Sequence, residues 1–125
     1  MAIKITHDVD APTASVELTI TQSLDDFDLT EIVAPIPRDI DPILASQGFK
    51  DLLDEARAIL EREFLGTGLE IAQLTGAICR DGSVYRPGIW LVVREPNAVA
   101  KEMSPAARSR IAAAAEALRA SLHLS

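Results

Sequence analysis

The segment 43–65 constrains the fold more than any other, because its apolar residues recur at helical spacing along one side. Such a stripe predicts an amphipathic helix whose apolar face must be buried against another element. Asp41 and Pro42 fit an N-cap followed by proline in the first turn, and Gly66 and Gly68 suit the left-handed backbone that ends many helices. The stripe consists of Phe49, Leu52, Leu53, Ala56, Ile59, Leu60 and Phe64.

A second helix is predicted to begin at Ser104, an N-cap residue followed by Pro105, and to end at about residue 123. Its apolar stripe includes two alanines, which allow a neighbouring element to approach closely. That stripe consists of Ile111, Ala114, Ala115, Leu118 and Leu122. Four other segments have the alternating or continuous apolar pattern of strands. They cover residues 3–7, 15–21, 69–80 and 89–94.

The segment 89–94 begins with IWLVV, which is apolar on both faces and is therefore typical of a central strand. We interpret Trp90 as a core residue, because it is the largest apolar side chain in any predicted strand. Aromatic residues are otherwise scarce, so part of the cover over this strand is expected to come from a second subunit. The sequence thus favours a homodimer.

Taken in order, these elements predict an α+β fold with the succession β-β-α-β-β-α. Strands and helices do not alternate strictly, which favours a mainly antiparallel sheet of about four strands packed against the two amphipathic helices. The 125 residues suit a single domain spanning 1–125. Three prolines make residues 34–42 an extended connector, and residues 23–33 fit either a short helix or a strand.

Composition excludes several classes of protein. The only cysteine, Cys79, rules out an internal disulfide and any zinc site built from several cysteines. No apolar run reaches the length of a signal peptide or a membrane span, so we expect a cytoplasmic protein that does not enter a membrane. Sequence patterns of the GxSxG, HExxH and GxGxxG types are absent, and no cofactor is predicted.

Charge is unevenly distributed along the chain, whose net charge is −7. Residues 1–63 carry 14 acidic and 5 basic side chains, whereas residues 64–125 carry 5 acidic and 7 basic ones. Binding of nucleic acid by the first half is disfavoured, because neutralising phosphates requires clustered Lys and Arg. The asymmetry fits an acidic face for a basic partner, head-to-tail attraction between subunits, or solubility alone.

An acidic cluster between residues 25 and 31 supplies the candidate acidic face, with Asp39 and Asp41 as an extension. A divalent cation is the alternative ligand, but the cluster lacks the ligand spacing and turn glycine of an EF-hand loop. Acids also favour the first turn of a helix, so no metal site is predicted. The cluster consists of Asp25, Asp26, Asp28 and Glu31.

Residues 78–95 contain the strongest turn signal, Asp81-Gly82, which predicts a tight hairpin with Cys79 opposite Val84. Pro87 lacks a backbone donor, so we expect a regular ladder only from Ile89 onward. The part of the hairpin before Pro87 would then project as an arm.

On such an arm, Arg80, Tyr85 and Arg86 would be exposed, and Tyr and Arg are enriched at binding hot spots. We interpret these three residues as partner-binding anchors. The alternative is that Tyr85 packs against the edge of the core.

Catalytic candidates are few. Cys79 has a basic neighbour in Arg80, but adjacent strand residues point to opposite faces, so a buried, unreactive thiol is favoured. His7 is interpreted as a surface histidine at a strand end, and His123 lies too near the C-terminus to be held rigidly. No catalytic residue is assigned.

These patterns favour a non-enzymatic protein-interaction module of inhibitor, adaptor, immunity or chaperone type, whose partner is another protein with a basic surface. One alternative is a small enzyme with a pocket between the sheet and the helix 43–65. The other is nucleic-acid binding by the arginines of the second half, although these are spread over different elements. They are Arg80, Arg86, Arg94, Arg108 and Arg110.

Overall fold

The computed structural model describes residues 4–8, 11–19, 47–81, 84–96 and 102–122, and it has an α+β fold. The predicted succession of elements is confirmed in these residues. It runs β1 (Lys4–His7), β2 (Thr13–Thr19), α1 (Gln47–Phe64), β3 (Glu70–Asp81), β4 (Val84–Arg94) and α2 (Pro105–Leu122). Three sequence predictions fall outside the described residues: the segment 23–33, the connector 34–42, and the N-cap at Asp41-Pro42.

The four strands form one antiparallel sheet in the order β1-β2-β4-β3. Strand β4 therefore lies between β2 and β3, as its continuous apolar sequence predicted. Its neighbours place Leu18 opposite Ile89 and Val16 opposite Leu91. Strands β1 and β3 are the two edges of this sheet.

Both helices pack on the same side of the sheet, which we call the inner face. Alternate residues of β2 and β4 point to this side and are buried with the apolar stripes of α1 and α2 in one core cluster. The strand residues of the core include Ala14, Val16, Leu18, Ile89, Leu91 and Val93. Helix α1 lies over β3, whereas α2 lies over β2 and against α1. Ala114 and Ala115 are almost fully buried on α2, which allows its backbone to approach neighbouring elements closely.

The C-terminal end of α1 has the glycine stop that the sequence predicted. Gly66 and Gly68 have φ angles of 76° and 78°, in the left-handed region that favours glycine. Between them, the hydroxyl of Thr67 donates a hydrogen bond of 2.6 Å to the carbonyl of Phe64 and accepts one of 3.2 Å from the amide of Leu69. The turn from α1 into β3 is thus closed by one threonine.

The N-terminal end of α2 is capped by Ser104, as predicted, and is also tied to β4. The Oγ atom of Ser104 accepts a hydrogen bond of 3.2 Å from the amide of Ala107. Glu95, the residue after β4, accepts hydrogen bonds from the amide and the hydroxyl of Ser104 at 2.8 and 2.7 Å. One carboxylate therefore fixes the start of α2 to the end of the central strand.

The β3–β4 hairpin is confirmed, but its predicted register was wrong. Cys79 lies opposite Arg86 rather than Val84, and the last described pair is Asp81 with Val84. Asp81 pairs in the ladder instead of occupying the turn, so the connection falls on residues 82–83. The register is therefore displaced by two residues from the one that Asp81-Gly82 predicted.

The ladder between β3 and β4 also continues through Pro87, so the predicted loss of regular pairing before Ile89 is wrong. Pro87 lies opposite Ile78, and the only irregularity in the pairing is a bulge between Ile71 and Gln73. The described pairing of β4 with β2 extends as far as Gly88, the residue that follows Pro87 in the chain. Proline lacks a backbone N–H, so Pro87 contributes no donor to the ladder at this position.

Candidate functional site

The outer face of the sheet, opposite the helices, is not covered by any helix within the described ranges. Across its centre Trp90 lies between Glu17 on β2 and Thr75 on β3. Val92 lies one row away on the same face. Trp90 and Val92 are both half-buried, so each keeps part of its apolar surface accessible. Small or polar side chains surround them, namely Thr6, Ser15, Glu17, Gln73 and Thr75.

The interpretation of Trp90 as a core residue was wrong. Ile89 and Leu91 occupy the inner face and are fully buried, so strand alternation places Trp90 between them on the outer face. The alternation of β2, with Val16 and Leu18 inward and Glu17 outward, was the signal that marked this side as accessible. Because Glu17 pairs with Trp90, the outward face of β2 is also the face on which Trp90 lies. The sequence of β4 alone does not reveal that β2 is its neighbour.

Charged groups on the outer face are close to balanced. Arg94 forms an ion pair of 2.7 Å with Glu70, and both side chains are half exposed. Lys4 stands opposite Glu17 at the other side of the sheet. The outer face therefore combines an apolar centre with a rim of neutral and paired groups.

Cys79 lies on the outer face but is almost fully buried, with its sulfur above Gly88, where no side chain competes for the space. The thiol donates a long hydrogen bond to the carbonyl of Leu18, with 4.0 Å between Sγ and the oxygen. Burial, and next the negative charge of Glu17, raise the pKa of Cys79 to about 12. The thiol is therefore protonated at neutral pH, which fits the predicted unreactive cysteine.

We expect Cys79 to resist alkylation by iodoacetamide at pH 8 in the folded protein and to react quickly once the protein is unfolded in urea. Because its folded pKa of about 12 exceeds the ordinary value of 9.0, the unfolded chain ionises first as pH rises. The free energy of unfolding should then fall above pH 9, and this fall should be smaller in Cys79→Ala. Alkylation at the same rate in folded and unfolded protein would contradict the burial of the thiol.

His7 is the last residue of β1, at the strand end where it was predicted, and it is half-buried. Burial, and next the positive charge of Arg108, lower the pKa of His7, so its neutral form is favoured. Its Nδ1 atom has no hydrogen-bond partner in the described part of the chain. A general base is normally oriented through its second nitrogen, and that feature is missing here.

Two open concavities flank the C-terminal end of α1. The first, about 580 Å³, lies between the helices, and Leu65 and Leu122 are among its lining residues. The second, about 630 Å³, lies between α1 and β3, and we call it the α1–β3 concavity. Its lining includes Arg57, Glu61, Phe64, Leu65, Leu69 and Ile71. Neither concavity is lined by Cys79 or His7.

The structure describes the backbone positions of the predicted hairpin anchors but not their side chains. The backbones of Arg80 and Tyr85 are paired, and Arg86 pairs with Cys79, so all three lie toward the closed end of the hairpin. Their side chains fall outside the described residues. The acidic cluster, with its extension at Asp39 and Asp41, falls outside them too, so the acidic face stays a prediction. It comprises Asp25, Asp26, Asp28 and Glu31.

The described residues contain no group of three or more His, Cys, Asp or Glu side chains that could hold a metal ion. Neither α1 nor α2 is long and apolar enough to cross a membrane.

The chain matches no protein-family model, no curated protein and no solved structure. Function must therefore be argued from the chemistry of its own surfaces. Of the described surfaces, the outer face has the clearest binding character, because it places accessible tryptophan and valine side chains among polar ones.

Proposed function

We propose that this protein is a non-enzymatic protein-interaction module that binds its partner through the outer face of the sheet. The observation that carries the proposal is the half-buried Trp90 at the centre of a face that neither helix covers. Tryptophan is among the residue types most enriched at binding hot spots, especially where less important contacts around it exclude water. Val92 extends the apolar centre, and Thr75 and Glu17 form part of the surrounding rim.

Of the predicted hairpin anchors, Arg86 would extend this surface, because it pairs with Cys79 in a row of the outer face. Arg80 and Tyr85 pair with each other in the next row and would contact the partner at the closed end of the hairpin. The acidic cluster at residues 25–31 would meet a basic region of the partner. In this proposal the protein acts in the cytoplasm as a homodimer. Inhibitor, adaptor, immunity and chaperone roles share these requirements.

The enzyme alternative places its pocket in the α1–β3 concavity. That concavity contains the carboxylates of Glu61 and Glu70, but it lacks both Cys79 and His7. General acid–base chemistry needs a group with a suitably shifted pKa within reach of the substrate. Among the described residues, the groups with shifted pKa values are His7 and Cys79, which lie elsewhere, so the observations favour binding over catalysis.

The nucleic-acid alternative depends on free arginines in the second half. Arg94 is paired with Glu70 on the outer face, and Arg108 is paired with Glu102 at 3.3 Å near the start of α2. Arginines that are already paired and lie on different elements make a poor phosphate-binding surface. This alternative is therefore the weakest of the three.

Trp90→Ala is expected to reduce capture of the partner from a source-cell lysate by about tenfold or more, the loss typical of a binding hot spot. Recovery would be quantified by mass spectrometry with the tagged wild-type protein as reference. Lys50→Ala is the matched control, since Lys50 is exposed on α1, away from both the outer face and the α1–β3 concavity. Undiminished capture by Trp90→Ala would refute the role of the outer face. The double variant Tyr85→Ala/Arg86→Ala tests the hairpin anchors in the same assay.

A further inference from the structure

Strand β3 is an edge of the sheet with little protection against pairing with another strand. It has 12 residues, whereas β1 at the opposite edge has four. Residues 71–79 contain no charged side chain and no proline, the two features that most often prevent edge pairing. Outside β4, no described strand pairs with β3.

We propose that β3 pairs antiparallel with β3 of a second copy, about a two-fold axis at Thr75. This inference rests on the proposed homodimer and names the surface that forms it. The chain has a net charge of −7, which opposes most contacts between copies. The uncharged segment 71–79 brings no like charges together, so it is suited to self-association.

The register about Thr75 places Gln73 opposite Ala77 of the second copy. The bulge after Ile71 removes one residue from the pairing, so Ile71 then lies opposite Ile78 of the second copy. Both isoleucines are on the inner side of the sheet, since Ile71 pairs with Val93 and Ile78 with Pro87. The two-fold axis repeats this contact on the other side of Thr75.

Ile78 and Ile71, which would lie opposite each other across the two-fold axis, are both apolar. Ile78 is 40% exposed, and it is one of two large apolar side chains that are exposed in the described ranges. Ile71 lines the α1–β3 concavity together with Phe64, Leu65 and Leu69. Each copy thus presents an exposed isoleucine to the apolar part of the other copy's α1–β3 concavity, whose remaining lining includes charged residues. This is the self-complementarity that a two-fold interface requires.

The resulting dimer has a continuous sheet of two copies, with all helices on one side and both Trp90 side chains on the other. The outer faces therefore remain available to the partner. Dimerisation and partner binding use different surfaces, so they are separable by mutation.

The test is the molecular mass in solution, measured by analytical ultracentrifugation over a concentration series. The wild type is expected to approach twice the chain mass of 13.5 kDa. Thr75→Lys/Ile78→Lys is expected to be monomeric, because it places two lysines at the axis and removes the apolar contact. Thr6→Lys, an exposed position on β1, is the matched control and should remain dimeric. Circular dichroism must show the same fold in all three.

A monomeric wild type, or an undiminished dimer in Thr75→Lys/Ile78→Lys, would overturn the proposal. A monomeric Trp90→Ala would also overturn it, because the outer face would then form the dimer. If Trp90→Ala is dimeric but loses partner capture, both the dimer surface and the proposed function are supported. If it is dimeric and retains capture, the proposed function fails while the dimer surface stands.

Discussion

Gly88→Ala is expected to be the most damaging single substitution in the sheet, with a loss of about 3 kcal/mol in the free energy of unfolding. A Cβ atom at position 88 would overlap both Sγ of Cys79 and the carbonyl oxygen of Leu18. The sulfur belongs to a short side chain, and the carbonyl is part of the β2 backbone that pairs with β4. Neither can move away without disturbing the ladder.

Urea denaturation followed by circular dichroism would measure this loss. Gly66→Ala is the matched control: a Cβ atom there meets nothing within 4 Å, and only the φ of 76° opposes it. Its cost should be roughly 1 kcal/mol, typical of a left-handed residue. Adding Cys79→Ala to Gly88→Ala removes the overlap with Sγ and should recover part of the lost stability. The recovery should be incomplete, because the overlap with the Leu18 carbonyl remains. Equal stabilities for Gly88→Ala and wild type would show that β2 and β4 are not packed as described.

Phe49→Ala is expected to lower the free energy of unfolding by about 3–5 kcal/mol, the range for removing a buried aromatic side chain. Phe49 lies in the first turn of α1 and is fully buried. It has the largest volume of the fully buried side chains in the described part of the chain. The core around it is formed mainly by aliphatic residues, which cannot rearrange freely because α1 packs against both the sheet and α2. Most of the volume of the ring would therefore persist as a cavity.

The same denaturation experiment tests this prediction. Leu65→Ala removes an apolar side chain that is 84% exposed, just beyond the same helix, and should change stability by less than about 0.5 kcal/mol. If both variants lost equal stability, burial of Phe49 in the core would be contradicted.

Much of the fold could be predicted from sequence, because each segment's apolar period is a local property. The stripe that includes Phe49 and Phe64 predicted α1, and Ser104-Pro105 predicted the beginning of α2. The glycines at 66 and 68 marked the end of α1 correctly, since the turn there needs left-handed backbone.

The errors concern properties that depend on pairing. Asp81-Gly82 is a strong turn signal, but the ladder with β4 extends through Asp81 and moves the connection by one position along the chain. Trp90 could be assigned to a face only once β4 was aligned with β2. The bulge between Ile71 and Gln73, which determines what lies opposite Ile78 in the proposed dimer, has no marker such as glycine at Ala72.

Candidate binding residues were harder to predict than the fold. Residue type predicted Tyr85 and the neighbouring arginines as binding residues, whereas the described surface with binding character is centred on Trp90. Tryptophan in an apolar run resembles a core residue in sequence, because its exposure depends on which side the helices occupy. That choice is made by the tertiary structure alone.

The β3–β4 hairpin closes through residues 82–83, whereas β2 reaches β4 only across a long stretch of chain. Closing a short loop costs less chain entropy than closing a long one. The hairpin therefore offers a template that can form early, with β2 joining in a later step that completes the sheet. A Cβ atom at position 88 would overlap Cys79 Sγ within the hairpin and the Leu18 carbonyl in the later pairing, so substitution at Gly88 should disturb both steps of folding.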